Sequence, residues 1–412
     1  MNTRTAAVAA LLAVALARPV SAQWRPLHFV RDTSFKLRDL GVNRAGRVLP
    51  GRDGRMFITQ QDFNAEVIEV DSAFHKLPWT FKVDRGPNGD VYYVRDWGWV
   101  GDSIWVLDPV FRQVAFIGTA GTLTKSISWP SWIRPAWSDR RKYPLFANVF
   151  MWLGAYPDGT LLVQPIQPRH LLDTPGYDPD QQLLVRIDGD GRILKTVARI
   201  PAMEGRFELR SGTERQWVNV PNYAKSLWRV SSDGRRIAVV SPIASDSGAF
   251  RVTALDENGD TVFTRRYAIQ AERLSKAHVD SVLAMQQPFG RYAVEQVRDT
   301  VRKLLPAFYT PVASVDVGLD YSVWVAVRRP TTKIEDAEYF VVDAKGEPQG
   351  VVTVPRATKF ASVALDKLWV IEQDRVKQST LLIRFVPAGV RGARPSRSGR
   401  GGASSPTSPP PG

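Results

Sequence analysis

The chain has 412 residues, of which 44% are apolar and 23% are charged, and its formal net charge is +14. This composition supplies a large hydrophobic core and excludes an intrinsically disordered polymer. The absence of cysteine excludes disulfides, thiolate metal sites and a cysteine nucleophile.

The N-terminus has the pattern of a secretion signal. Arg4 precedes an apolar run (residues 6–17) that is too short to span a bilayer, and Val20 and Ala22 stand at the −3 and −1 positions of a cleavage site. We therefore predict a signal peptide over residues 1–22 and a periplasmic or extracellular mature protein. No later stretch is long and apolar enough to predict a transmembrane segment.

A turn-and-strand pattern then recurs six times. Each unit begins with an aspartate-centred turn and a short β-branched or aromatic strand, and several contain a second turn of the form Asp-x-x-Gly. Propeller blades of four strands take about 40–50 residues. We therefore predict an all-β fold, a six-bladed β-propeller over residues 23–388, with a seven-bladed ring or a two-sheet sandwich as alternatives. The first-turn aspartates are Asp53, Asp102, Asp158, Asp233, Asp320 and Asp366.

Two irregular segments complete this plan. The segment Ser275–Leu305, between units four and five, has helical periodicity, with Ser275 as N-cap and a break near residues 288–290. Its predicted apolar face consists of Val294, Val297, Val301 and Leu304. The sixth unit offers only three strands, so we expect the segment Leu27–Leu37 to complete the last blade and close the ring.

The C-terminal segment, residues 389–412, is rich in Gly, Ser, Pro and Arg and lacks aromatic residues, which predicts a disordered tail. Four arginines of this tail and two of the signal account for six of the +14 charges, which leaves +8 for the body. A basic exported protein is expected to meet anionic glycans, lipids or cell wall rather than nucleic acid, and the alternative is a solvated, mildly basic surface without such a partner.

Four stretches carry a family resemblance: residues 86–115 (GPNGDVYYVRDWGWVGDSIWVLDPVFRQVA), 233–240 (DGRRIAVV), 255–267 (LDENGDTVFTRRY) and 274–283 (LSKAHVDSVL). They resemble the secreted six-bladed β-propellers related to NHL-repeat propellers, and the resemblance spans nearly all of the mature chain. Its motifs are structural, so the resemblance implies a fold and assigns no activity.

Catalytic motifs are missing from the sequence. There is no Gly-x-Ser-x-Gly elbow, and no two of the four histidines have the spacing of a zinc site. Two turns, at residues 188–192 and 256–260, imitate calcium loops but lack the acid at position 12. We interpret them as connections between strands and predict no catalytic residues.

The central channel is the other place for an ion. Lactonase-type propellers are related to the family that this chain resembles, and in them carboxylates and amides hold a divalent cation in the channel. Asp96, Asn148 and Asp316 fall on predicted innermost strands and are hard oxygen ligands suited to calcium. Arg229 and Lys359 fall on innermost strands too, which favours a salt-bridged polar channel without a cofactor.

A segment between units two and three combines aromatic and basic residues. Its tryptophans could stack on sugar or aromatic rings while its arginines hold an anionic group. The alternative is that the tryptophans fill hydrophobic gaps in a long loop. The predicted ligand-binding residues are Trp129, Trp132, Arg134, Trp137, Arg140 and Arg141.

These patterns predict an exported binding module for a protein, a peptide or an anionic carbohydrate. Two other classes stay open. One is a metal-dependent hydrolase or lactonase that works with an ion in the channel. The other is a structural part of an envelope assembly, tethered by the basic tail.

Overall fold

The structure is a computed structural model that describes residues 24–42, 45–51, 54–60, 67–71, 73–77, 94, 96–108, 113–118, 120–128, 150–165, 178, 180–202, 204–211, 214–243, 248–286, 292–327, 336–355, 358–374 and 379–388. The predicted signal peptide and the predicted tail lie outside these residues, as do Trp129, Trp132, Arg134, Trp137, Arg140, Arg141 and Asn148. No helix in the described part is long and apolar enough to cross a membrane.

Six antiparallel sheets follow one another along the chain, and we number them as blades one to six. The chain opens with β1 (Phe29–Lys36) and a 3₁₀ helix (Leu37–Leu40). Blade one then contains β2 (Ala45–Pro50), β3 (Met56–Gln60) and β4 (Val67–Val70). Blade two contains β5 (Asp96–Val100), β6 (Ser103–Asp108), β7 (Gln113–Ile117) and β8 (Leu123–Ser128).

The third blade is followed by a separate hairpin. Blade three contains β9 (Phe150–Ala155), β10 (Leu161–Pro165), β11 (Gln181–Ile187) and β12 (Ile193–Pro201). The hairpin consists of β13 (Arg206–Ser211) and β14 (Glu214–Asn219). Blade four contains β15 (Leu227–Val230), β16 (Arg236–Pro242), β17 (Ala249–Asp256) and β18 (Thr261–Ala268).

Two helices, α1 (Lys276–Ala284) and α2 (Val294–Leu304), separate blades four and five. Blade five contains β19 (Val312–Val317), β20 (Val323–Val327), β21 (Asp336–Val342) and β22 (Pro348–Pro355). Blade six contains β23 (Thr358–Val363), β24 (Leu368–Asp374) and β25 (Ser379–Pro387), with β1 as its fourth strand.

The blades form a closed ring. Innermost strands of neighbouring blades are in contact, as between β5 and β9, β15 and β19, and β2 and β23. Each of the six interfaces between consecutive blades holds its own hydrophobic cluster. In the last of these interfaces, Trp369 and Leu382 of blade six pack with Met56 and Ile58 of blade one. The predicted six-bladed β-propeller is therefore confirmed.

The N-terminal strand closes the ring as predicted. β1 pairs antiparallel with β25, in a register that runs from Phe29 opposite Pro387 to Lys36 opposite Leu381. A β-bulge interrupts this register at Asp32, whose carboxylate accepts a hydrogen bond from Arg384 Nε at 2.6 Å. Pairing residues from the two ends of the chain leaves no unpaired edge on β25.

Residues just before β1 also attach to blade five, which the sequence analysis did not foresee. Leu27 N donates to Val351 O at 2.8 Å, and Val351 N donates to Arg25 O at 3.0 Å. The Trp24 ring packs edge-on against Phe340, with centroids 4.5 Å apart, inside the cluster between blades four and five. The N-terminal segment thus spans blades four, five and six.

The two helices and the hairpin form one unit, which we call the cap. Val282, Leu283, Val297 and Val301 of the helices form a cluster whose neighbours include Phe207 and Val218 of the hairpin. The predicted helices and their position are confirmed, and Ser275 Oγ accepts a hydrogen bond from His278 N at 3.2 Å. Leu304, which we placed on the apolar face, is exposed, and Leu305 packs against the cluster instead. The hairpin was not predicted.

Strand direction defines two faces of the propeller. We call the entry face the one at which innermost strands begin, and the exit face the one at which they end. Because the strands of a four-stranded antiparallel blade alternate in direction, connections from one blade to the next lie on the entry face. Both insertions of the cap are connections of this kind. The turns between first and second strands, and between third and fourth strands, lie on the exit face.

Candidate functional site

One exit-face turn narrows the channel. The turn Ser231–Arg235 of blade four reaches blade two, where Trp99 N donates to Ser232 O at 2.8 Å. This contact requires glycine at position 98, because a Cβ there would lie 2.4 Å from Ser232 O. Blades two and four are not neighbours in the ring, so the turn extends across the exit end of the channel.

The same turn is also held by its two neighbouring blades. Tyr156 Oη of blade three donates to Gly234 O at 3.1 Å, and Tyr321 Oη of blade five donates to Asp233 Oδ2 at 2.8 Å. Tyr321 adopts φ 62°, which is uncommon for a bulky residue and costs conformational energy. Four of the six blades therefore meet at this turn.

The channel wall is exposed nearer the entry face. On β9 the side chain of Met151 is exposed, and on β19 Ala313 and Ser314 are exposed. These residues lie in the first halves of innermost strands, whose two faces pack against neighbouring blades. Solvent therefore reaches these parts of the innermost strands.

Deeper in the channel, Arg229 of β15 faces Asp316 of β19. Arg229 Nε lies 3.9 Å from Asp316 Oδ1, and the two side chains are 63% and 30% exposed. Burial raises the pKa of the Asp316 carboxyl group, and the charge of Arg229 partly offsets this effect. The ion pair between innermost strands matches the salt-bridged channel that we considered in the sequence analysis.

The three-residue metal site stays a prediction, since the described residues include only Asp96 and Asp316 of its ligands. Asp96 is the first residue of β5, whereas Asp316 is the penultimate residue of β19. Measured from the exit end of their strands, they differ by three residues, or about 10 Å. Asn148 lies outside the described residues, and the described part contains no group of three or more acidic, histidine or cysteine side chains arranged to hold a metal ion.

The two turns that imitate calcium loops are connections between third and fourth strands. Asp188 Oδ1 accepts hydrogen bonds from Asp190 N and Arg192 N at 2.9 and 2.8 Å. Asp256 Oδ1 accepts two equivalent bonds from backbone N–H groups. Each carboxylate thus stabilises its own turn, as the sequence analysis predicted.

Charge is distributed unequally between the two faces. Aspartate and glutamate recur in the exit-face turns because these turns use a carboxylate to accept backbone N–H groups. The acids in and next to the described exit-face turns are Asp71, Asp102, Asp158, Asp188, Asp190, Asp233, Asp256, Glu257, Asp260, Asp320, Asp343, Glu347 and Asp366, and the bases are Arg55, Arg192, Arg235, Arg236, Lys345 and Lys367. Acidic residues therefore outnumber basic ones in these turns, and two of the acids, Asp158 and Glu347, pair with arginines of neighbouring strands.

Three long entry-face connections between blades have the opposite balance. Basic residues outnumber acidic ones by four to one in the segment 129–149, by four to three in 202–226 and by six to four in 269–311, whereas the connection 166–180 on the same face has three acids and one arginine. The first of these segments contains all six predicted ligand-binding residues and joins the end of β8 to the start of β9. Its flanking strand ends, at Ser128 and Phe150, lie on the entry face. The fold thus places the described ends of these connections on the entry face.

Comparisons with known proteins return likeness to solved structures only. No family model matches the chain, and no curated protein matches it. A member of the DUF4221 family from Bacteroides vulgatus is 10% identical, with 87% of this chain and 98% of that chain covered and a TM-score of 0.47. A protein from Bacteroides fragilis described as exported is 11% identical (89% and 97% covered, TM-score 0.41). Regucalcin from Agrobacterium tumefaciens, a calcium-binding protein, is 10% identical (88% and 96% covered, TM-score 0.33).

Proposed function

We propose that the protein is an exported binding module that holds an anionic carbohydrate at the entry face of the propeller. An acidic protein or peptide is the other ligand class. The observation that carries the proposal is the charge difference between the acidic exit-face turns and the basic entry-face connections. A field of this kind attracts anions to one end of the channel and repels them from the other. Export and relation to the NHL-type propellers are parts of this proposal.

The chemistry of the segment 129–149 fits such a ligand. Its tryptophan rings can stack on the apolar faces of sugar rings, and its guanidinium groups can bind carboxylate or sulfate groups. The two insertions of the cap are connections on the same face as the strand ends that flank this segment. In this proposal Trp132 and Arg134 determine which ligand binds, and the ligand reaches them from the entry face.

The test is a calorimetric titration of the mature protein, residues 23–412, with oligogalacturonate and with neutral galactan oligomers. We expect binding of the carboxylated oligomers only, with an affinity that falls as salt is added. Trp132→Ala and Arg134→Ala should each weaken binding at least tenfold. Arg192→Ala removes an exposed arginine of the exit-face turn between β11 and β12 and should leave binding unchanged. Equal affinity in all variants, or no binding by the unaltered protein, would refute the proposal.

The metal-dependent hydrolase is the alternative function; of its proposed ligands, Asp316 faces Arg229 and Asn148 lies outside the described residues. Elemental analysis of the purified protein distinguishes the two functions. The binding module predicts no stoichiometric calcium or zinc, whereas the hydrolase requires one ion for each chain.

A further inference from the structure

Blades three and four carry a cluster of polar side chains at their entry ends. Gln164 is the penultimate residue of β10, and Gln182 and Trp228 are the second residues of β11 and β15, so all three lie near the entry face. Deeper in the same interface, apolar side chains such as Leu184 and Ile237 fill the space between the two blades, and Trp228 packs against them. All three residues of the polar cluster are partly exposed, so the cluster separates this hydrophobic interior from the solvent.

The polar groups of this cluster converge on one oxygen. Gln182 Oε1 accepts a hydrogen bond from Gln164 Nε2 at 3.2 Å and another from Trp228 Nε1 at 3.1 Å. These bonds orient both amide groups. Among the described residues, neither the amide nitrogen of Gln182 nor the amide oxygen of Gln164 has a hydrogen-bond partner. Two amides that are in contact therefore present a donor group and an acceptor group that carry no charge.

The chain just before β15 adds further polar groups and an exposed aromatic ring. The Glu204 carboxylate accepts hydrogen bonds from the backbone N–H group and the hydroxyl group of Ser226, and Ser226 Oγ lies 3.0 Å from Ser241 Oγ. Tyr223 packs closely on the backbone of Gly205, where a Cβ would lie 2.6 Å from the Tyr223 Cβ, and its ring is exposed. Hydrogen bonds and packing thus hold these side chains in place before any ligand binds.

Amide groups beside aromatic rings suit a sugar ring. Each sugar hydroxyl both donates and accepts hydrogen bonds, and the C–H face of the ring packs on aromatic side chains. We infer that this cluster is a subsite for one sugar ring of the ligand, whose neighbouring hydroxyl groups bind the amides of Gln164 and Gln182 while the ring contacts the exposed part of Trp228. Tyr223 extends this surface towards the next ring. The inference rests on the proposed function and names the part of the ligand that these residues recognise.

The charge of Glu204 decides which groups of the ligand the subsite accepts. Two carboxylates that stand close together repel each other, so the subsite binds hydroxyl groups and not the acidic groups of the oligomer. A site built to form hydrogen bonds with hydroxyl groups rejects a ligand that lacks them, because its own polar groups are then left unpaired. The subsite therefore distinguishes an acidic sugar from an acidic peptide of the same charge.

The experiment compares the unaltered protein with Gln164→Met and Gln182→Met in calorimetric titrations with trigalacturonate. Methionine keeps the length of glutamine, removes its hydrogen-bonding groups and changes no charge. We expect each variant to weaken binding about fivefold or more, because a ligand hydroxyl loses its partner, while the dependence of the affinity on salt stays the same. Circular dichroism and melting curves establish that each variant is folded. Gln164→Met keeps the bond between Gln182 and Trp228, so it tests the subsite even if Gln182→Met does not fold.

Gln349→Met is the matched control. Gln349 is the second residue of β22, near the exit face, and its amide also forms a side-chain hydrogen bond, to Asp343 Oδ2 at 3.3 Å. The substitution is the same as in the cluster, and its site lies at the opposite face of the propeller. We expect it to leave the affinity for trigalacturonate unchanged.

A peptide of equal charge provides the second ligand. Acetylated and amidated triglutamate carries the same number of carboxylates as trigalacturonate and has no hydroxyl groups. We expect the unaltered protein to bind it about tenfold more weakly or less. Equal affinities for the two ligands would show that the protein recognises charge alone, and the subsite would be refuted.

The outcomes separate the inference from the function on which it rests. If the unaltered protein binds trigalacturonate and the two cluster variants bind it equally well, the subsite is refuted and the proposed function stands. A loss of the same size in Gln349→Met refutes the subsite too, because the effect would then not depend on the entry face. If the unaltered protein does not bind trigalacturonate, the proposed function fails and the inference fails with it.

Discussion

The strand that closes the ring carries a charged contact, and its contribution to the free energy of unfolding can be measured directly. Arg384 Nε donates to Asp32 Oδ2 at 2.6 Å, and a second guanidinium nitrogen also contacts this oxygen. The Arg384 guanidinium group also lies 5.5 Å from the ring centre of Trp369. Asp32 stands at the bulge of β1, so this contact joins the N-terminal strand to a strand near the other end of the chain.

The expected size of the effect follows from the exposure of the pair. Hydrogen bonds to charged groups contribute about 1.5–3 kcal/mol when buried, and exposed ion pairs contribute about 0.2–1 kcal/mol. The Arg384 and Asp32 side chains are 33% and 27% exposed, which places the pair between these limits. We therefore predict a coupling free energy of about 1–2 kcal/mol.

The assay is a double-mutant cycle with Asp32→Ala, Arg384→Ala and the double variant, each followed by urea unfolding at pH 7. Arg384→Ala should cost more than Asp32→Ala, because it also removes the contact with Trp369. Arg31→Ala, which removes an exposed charge from the same strand, is the matched control and should have little effect. A coupling free energy below about 0.3 kcal/mol would show that the two sites are independent, and the stabilising contact between Asp32 and Arg384 would be refuted.

Three further predictions concern the channel and the blade interfaces. Gly98→Ala should destabilise the fold by about 1–3 kcal/mol in urea unfolding, because its Cβ would lie 2.4 Å from Ser232 O; an unchanged midpoint would contradict the crossing turn. Tyr321→Phe should cost about 1 kcal/mol through loss of the hydrogen bond to Asp233, and equal stability would show that this bond contributes nothing. Burial raises the pKa of Tyr339 to about 12, so its stabilising contribution is complete below pH 10 and is lost as the pH rises towards 12; ultraviolet titration in which every tyrosine ionises near pH 10 would contradict this.

The candidate site was only partly accessible to reasoning from sequence. The combination of Trp132 and Arg134 was proposed from composition alone and stays a prediction. Arg229 was recognised as an inner-strand cation that could pair with an acid, and it faces Asp316 in the structure. The sequence analysis proposed Asp96 and Asp316 as members of one metal site because both fall on innermost strands. Their different distances from the exit end depend on where each strand begins, and strand ends are the least certain feature of a sequence pattern.

The face on which a residue lies was a harder question. The exit-face aspartates were identified as turn residues from the sequence. That they lie on one common face appears only when the turns of all blades are placed side by side. The contact between Trp99 and Ser232 had no signal at all in the sequence, since a backbone N–H and a backbone carbonyl are present in almost every residue.

The sequence by itself determined the number of blades, the turn chemistry and the use of the N-terminal segment as the last strand. These features depend on local requirements, namely carboxylates that accept turn N–H groups, alternating apolar residues in strands, and the need to pair every strand edge.

Only the tertiary structure decided what the segments do together. It packed the unpredicted hairpin Arg206–Asn219 with the two helices, attached Trp24 to blade five, extended the turn Ser231–Arg235 across the channel, and set Arg229 beside Asp316. These contacts join residues far apart in the chain, and their formation depends on the curvature of the whole ring rather than on any local pattern.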